Sequence, residues 1–512
     1  MTMLPPLLDK GRGRGLAAVA TLNLVQGAAA GAAAFATRDL FSAMHQRIPL
    51  QTADLAVLVG AGAAIAATRI GARLLGERIG QEYVRDIRVA LFRQTAAMPA
   101  RVAAGRRTGH TVLRFVGDMT AFRNWLALGL PRLIAAAILV PVMLAVLWLL
   151  NPLFALVVLP VLGLALLVSV WEGVRLLPLQ RRLRRRRARI AADMAERLPI
   201  APQLDRLGRR GKEQTLLEKR TGAMISTALR YRSHVEWIKA LPDLAAGIAA
   251  AALIATAYRK GLGASDIAAA LAALGLLLTP LRDLGAVWNH HAAHKVASRN
   301  VTRALSADPR AVYRAGRSLP KRPVDVAVEG VALPSGTLLS FHARAGETKE
   351  IPVDERDSEW LADVLLGLET AGTGQIRLAG IDVADLSRGT LRRHVLDCGR
   401  APTILQGSLR RALSMGCDRR PGDRRLEALA REAGLGPLLG RLGGLDGTVL
   451  ERGKNLTRDE QAGIALVRHR LASPRVIIAH ADDPDSKAEL GPTSFADPGV
   501  TVVSFRRNGG RR

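Results

Sequence analysis

Apolar positions in this chain are gathered rather than scattered: before about position 285 they form stretches as long as a bilayer is thick. A hydrocarbon core of about 30 Å takes roughly 20 mainly apolar helical residues, each rising about 1.5 Å. Leu16–Ala36 meets this with Asn23 and Gln26 as its polar interruptions, and Ala53–Ala67 continues helically into Ile70. Leu126–Leu150 and Leu153–Val170 are the most hydrophobic, parted by the helix-breaking pair Asn151-Pro152. Leu241–Ala257 and Ala264–Leu284 complete six predicted spans. Gly76–Ala97 sets Ile79, Tyr83, Ile87 and Leu91 at helical spacing, which predicts a helix running on beyond the bilayer.

From Val324 the pattern changes to short apolar runs alternating with helical periodicity, the mark of an α/β domain. Ser306–Arg322, rich in Arg, Pro and Gly, reads as a loose connector. The predicted organisation is an α-helical membrane domain of six helices with long cytoplasmic extensions over 1–305 and a linker over 306–323. A cytoplasmic α/β domain over 324–507 and a tail over 508–512 follow.

Charge orients this arrangement. Lys and Arg number 73 against 44 Asp and Glu, a formal charge of +29, while hydrophobic residues make up 49% of the 512. That apolar content excludes intrinsic disorder, and two cysteines exclude a disulfide scaffold. With the N-terminus inside, the loops Arg73–Arg123 and Arg175–Lys239 hold 28 Lys or Arg; the external loops carry only Arg38, Arg47, Arg259 and Lys260. The positive-inside rule then puts both termini in the cytoplasm of a bacterial inner-membrane protein. Met1–Arg14 imitates the basic start of a secretory signal, but the apolar run after it is too long for a signal core, and five spans follow. The basic run Arg181–Arg189 reads as a helix face resting on anionic headgroups. No recognition motif accompanies it and aromatics are only 4%, so nucleic acid is not an expected partner.

Smaller features invite chemistry. His290, His291 and His294 fall at i, i+1 and i+4, a spacing that suits metal, but no carboxylate pattern supports them and no metal is expected. Cys398 and Cys417, both cytoplasmic, read as reduced structural thiols. Arg132 lies near the cytoplasmic end of the third span, where its long side chain snorkels. Asn23 and Gln26 admit two readings, lining of a path or hydrogen bonding between helices.

The α/β part carries a series of motifs. Gly346-Glu347-Thr348 is followed by Leu365-Leu366-Gly367-Leu368, Thr373–Gly380 and Asp385-Leu386-Ser387. Ile404–Leu409, Glu451–Thr457, Ile464–Arg468 and Ser473–Ile478 come after. In this order and spacing they resemble the nucleotide-binding domain of ABC exporters. The amino-terminal part, with Leu113–Asp118 in its first long loop, resembles the six-helix exporter membrane domain.

The resemblance implies sites that this sequence does not fill. A phosphate-cradling loop needs glycines, then Lys and Ser/Thr. Its position here reads Pro352-Val353-Asp354-Glu355-Arg356-Asp357-Ser358-Glu359-Trp360, with no glycine or lysine and four carboxylates. Two like charges about 4 Å apart repel by about 1 kcal/mol even in water. The strand that should end in a metal-organising Asp and a catalytic Glu ends in His480 and Ala481. The family's Gln aligns with Arg400, its switch histidine with Phe505 followed by Arg506, and its signature loop with Leu456-Thr457-Arg458-Asp459-Glu460. Val328–Ser340 holds no aromatic to stack on adenine.

By the resemblance, then, the chain is expected to be a catalytically degenerate half of an ABC exporter. It holds no catalytic residue, cofactor or metal of its own, and pairs with an ATP-competent half that brings ATP and magnesium. The alternative is a membrane scaffold or regulator that docks through the degenerate domain.

Overall fold

The computed structural model describes residues 4–104, 117–307, 309, 312–398, 402–417, 421–472, 474–480 and 499–507. Its contacts divide the chain into two units, Met1–Ala96 with Gly105–Ala307, and Ala97–Ala104 with Asp308–Arg512.

In the first unit, six helices among the described residues are long and apolar enough to cross a membrane. They are Arg12–Gln46, Thr52–Ala96, Met119–Leu150, Pro152–Arg206, Arg210–Lys260 and Ala264–Leu305. Each contains one predicted span. The third and fourth are parted at Asn151, whose backbone turns extended while its Oδ1 accepts from the Leu153 amide (3.0 Å). Pro152 at the first helical position needs no partner for an amide it lacks. The second helix runs past the bilayer as its periodicity predicts, and Ile79, Tyr83, Ile87 and Leu91 are all buried. Near the N-terminus, Arg12 and Lys10 reach the Asp86 carboxylate at 2.7 and 3.0 Å.

Small residues let the helices approach closely. A Cβ on Gly76 would lie 2.9 Å from the Ala127 carbonyl oxygen, and one on Gly80 3.0 Å from that of Arg123. Gly27 and Gly31 likewise face Val142 and Val146 at 3.2 Å. At the Gly27 and Gly31 contacts, inside the first span, dispersion rather than water exclusion holds helices together in lipid.

The second unit is built on two sheets. Strands β1 (Val326–Ala332), β2 (Leu338–Ala343), β4 (Gln375–Leu378) and β5 (Ile381–Asp382) pair antiparallel in the order β2-β1-β4-β5. Strands β3 (Thr348–Val353), β6 (Val395–Asp397), β9 (Val476–His480) and β10 (Thr501–Arg507) pair parallel in the order β3-β10-β9-β6, and the short β7 (Gly407–Ser408) and β8 (Thr448–Val449) pair antiparallel apart from them. Parallel neighbours require long crossovers, and helices supply them. The core joins Val326 and Val328 to Ile351, Leu361, Leu365 and Phe505. A separate helical layer buries Leu409, Leu426, Leu438, Ile464 and Val467.

Two segments differ from the expectation. The Ala100–Ala104 helix, read from sequence as part of the membrane domain, groups with the second unit. There the Ala100 amide donates to the Leu368 carbonyl (2.9 Å) and the Arg101 amide to Glu369 Oε1 (2.6 Å). Part of the connector read as loose is tied down: the Arg314 and Arg317 amides donate to Ala384 and Asp385 at 2.9 Å, and Leu319 is buried. Composition alone hid these bonds because their partners lie far along the chain.

Candidate functional site

At the position resembling a phosphate loop, β3 ends at Val353 and the next helix begins at Glu355, so Asp354 alone joins them. The Asp354 carbonyl accepts from the amides of Asp357 (3.0 Å) and Ser358 (2.8 Å), and Ser358 Oγ donates to the Glu355 carbonyl (2.8 Å). Asp357 is only 3% exposed, and its Oδ1 accepts from the Ser335 amide (3.2 Å). A phosphate cradle needs a run of free amides curled around an anion. Here a strand passes into a helix through one residue, and the first turn carries its own anions, Glu355 and Asp357, against the positive end of the helix dipole. The Arg356 carbonyl accepts from Arg101 Nη2 (2.7 Å), and Glu359 lies in the same helix.

The position resembling the signature loop forms a helix cap. Thr457 precedes the Arg458–Ala472 helix; its Oγ1 accepts from the Glu460 amide (3.1 Å), while Glu460 Oε2 accepts from the Thr457 amide (2.8 Å). This reciprocal pair is a capping box. Arg441 Nη2 donates to both Glu460 carboxylate oxygens at 2.7 Å. Desolvation pushes the Glu460 carboxyl up, but the bonds from Arg441 and Thr457 outweigh it and hold the group below its ordinary value. Asp459 sits in the first helical turn. Arg458 is exposed and forms no ion pair among the described residues.

The remaining positions meet at the ends of the parallel strands, where α/β folds build their sites. Arg507 of β10 stands in register with Val353 of β3, and Phe505 with His480 at the end of β9. Phe505 is 3% exposed and belongs to the core; Arg506 pairs with Glu350 at 3.8 Å, both in solvent. Arg400, Ala481 and most of Leu113–Asp118 lie outside the described residues. The sheet thus gathers the positions of the phosphate loop, the metal-organising strand and the switch, while Thr457–Glu460 is set in the helical layer beside Leu456. The capping box went unread in the sequence although Thr-x-x-Glu before an apolar run signals it. Its partner Arg441 carries no such signal.

Among the described residues no three His, Cys, Asp or Glu side chains gather as a metal site requires. His290 Nε2 lies 3.4 Å from Arg132, and the rings of His291 and His294 lie 5.2 and 5.6 Å from that of Trp125. Arg132 pairs with Asp283 at 3.3 Å, a partner the snorkelling expectation did not include. Burial, with Asp397 adding to it, pushes the Cys398 thiol up to about 12, and burial also raises Cys417. The membrane unit further holds an apolar cavity of about 460 Å³ lined by Trp125, Leu166, Val170, Leu281, Trp288 and His291.

Residues 17–258 match the ABC transporter transmembrane region. The chain is 27% identical over 142 residues to the beta-(1-->2)glucan export ATP-binding/permease protein NdvA of Rhizobium meliloti (strain 1021). That stretch covers 27% of this chain and 24% of the relative. A bacterial Atm1-family ABC exporter solved with ATP bound superposes with a TM-score of 0.80 at 19% identity, over 98% of this chain and 92% of that one.

Proposed function

Because this chain has the fold of an ABC exporter half and carries the ABC transporter transmembrane region over residues 17–258, we propose that it supplies half of an exporter's membrane pathway without a working nucleotide site. The observation that carries the reading is the one-residue link at Asp354. No phosphate-wrapping loop fits between β3 and its helix, and Asp357 already holds the Ser335 amide. The capping box at Thr457–Glu460 supports it, since the Thr457 and Glu460 amides are bonded within the chain and bulky Arg458 and Asp459 stand where the signature loop has glycines. ATP and magnesium then come to the complex through an ATP-competent partner half, in a bacterial inner membrane with both termini of this chain in the cytoplasm. Two copies of this chain would unite two sites of the same kind and could not couple transport to hydrolysis.

Affinity purification in mild detergent tests the pairing. The expected result is co-purification with an exporter half whose own motifs are intact, with ATPase activity abolished by mutating that half alone. Recovery only as a homodimer would replace this reading with a membrane scaffold.

A further inference from the structure

A second cavity, of about 80 Å³, lies among the first, second, third and sixth membrane helices of the first unit. That volume admits a small group; a cleft for a whole drug-sized ligand takes about 300–1,000 Å³. Three guanidinium side chains line it, Arg69 and Arg73 one turn apart on the second helix and Arg132 on the third. One carboxylate, Asp283, stands against them and pairs with Arg132. Arg69 and Arg73 form no ion pair or side-chain hydrogen bond among the described residues, so the lining keeps an excess of two positive charges. Both are exposed at the cytoplasmic end of the second span, so their guanidinium groups are free to meet an anion.

The first helix adds a second, independent observation. Asn23 and Gln26 both line the cavity and are 4% and 8% exposed. Neither bridges helices: Asn23 Nδ2 donates to the Val19 carbonyl of its own helix (2.7 Å), and the Gln26 side chain has no hydrogen-bond partner among the described residues. The Gln26 amide is thus free to donate to an oxygen of a ligand in the cavity.

We propose that this cavity binds an anionic group of the phosphate type, held by Arg69 and Arg73 of the second helix with Gln26 of the first donating to it. With the N-terminus inside, Arg132 near the start of the third apolar span (Leu126–Leu150) and Asp283 at the end of the sixth (Ala264–Leu284) put the cavity at the cytoplasmic leaflet. There the group is a phospholipid headgroup or a soluble phosphate, since basic pockets between membrane helices on that side recognise such chemistry.

The full chain is purified in mild detergent and placed in nanodiscs of phosphatidylcholine with or without phosphatidylglycerol. Native mass spectrometry counts retained anionic lipid. A parallel arm titrates delipidated protein with inorganic phosphate and follows thermal stability. Arg69→Ala with Arg73→Ala should lower anion affinity at least tenfold, and Gln26→Leu severalfold. The Arg69→Lys, Arg73→Lys pair, which keeps the charge and the fold, should retain binding. Arg88→Ala, on the same helix outside the cavity, should change nothing. Retention in the lipid arm alone identifies a headgroup, and response in the phosphate arm alone identifies a soluble anion; either supports the site. Equal binding by the double alanine variant, an equal loss in Arg88→Ala, or binding in neither arm overturns it.

Discussion

Glu460→Ala separates a helix cap from a nucleotide contact. In the structure Glu460 accepts from the Thr457 amide at 2.8 Å and from Arg441 at 2.7 Å on both oxygens. Losing one half of a capping box costs about 1 kcal/mol. The Arg441 pair is partly exposed, so it adds only about 0.2–1 kcal/mol. The sum, about 1–2 kcal/mol, multiplies the open population of the first helical turn roughly 5–30-fold. Hydrogen exchange by mass spectrometry on the full chain in detergent reads this as faster exchange across residues 457–463. Glu460→Gln keeps the cap geometry and loses only the charge, so its effect should be smaller. Because the folded carboxyl titrates below its ordinary value, its contribution is complete above about pH 4.3 and fades as pH falls through the lower, folded value. The wild type and Glu460→Gln should therefore converge in acid. In the co-purified complex, Arg458→Ala should leave the ATPase rate unchanged. Unaltered exchange in Glu460→Ala would refute the cap. A tenfold rate loss in Arg458→Ala, about 1.4 kcal/mol, would make Arg458 a working residue.

Gly76→Val should cost about 1–3 kcal/mol, because its Cβ meets the Ala127 carbonyl oxygen at 2.9 Å; Gly60→Val, with nothing within 4 Å, should be neutral in the same detergent melting assay. Cys398, its thiol pushed up to about 12, should resist maleimide at pH 7.5 until the chain is unfolded. Reporter fusions at either terminus and within Arg181–Arg189 should all report the cytoplasmic side; any of them outside would sink the topology.

The six spans were legible because lipid demands unbroken apolar runs. The α/β unit was legible from its strand-length runs after Val324. At Pro352–Trp360 the sequence displayed the missing glycines and the added carboxylates. It did not display that β3 runs to Val353, leaving Asp354 as the whole connection. What stayed hidden depends on residues brought together from afar. Arg441 meets Glu460 across the helical layer, and Asp283 meets Arg132 between the sixth and third helices. Asn23 and Gln26 left two readings open until the structure showed them lining a cavity, with no side-chain bond to a neighbouring helix among the described residues. Periodicity reports which face of a helix is buried, not which side chain waits on the facing helix.

Nucleotide binding by this chain alone is the most direct test. The purified full-length protein, free of any partner half, is titrated with a fluorescent ATP analogue and magnesium. No saturable binding is expected up to millimolar nucleotide, because the Asp354 link leaves no cradle and Glu355 and Asp357 repel phosphate. Micromolar binding that is abolished by altering the Asp354–Glu359 segment would contradict it.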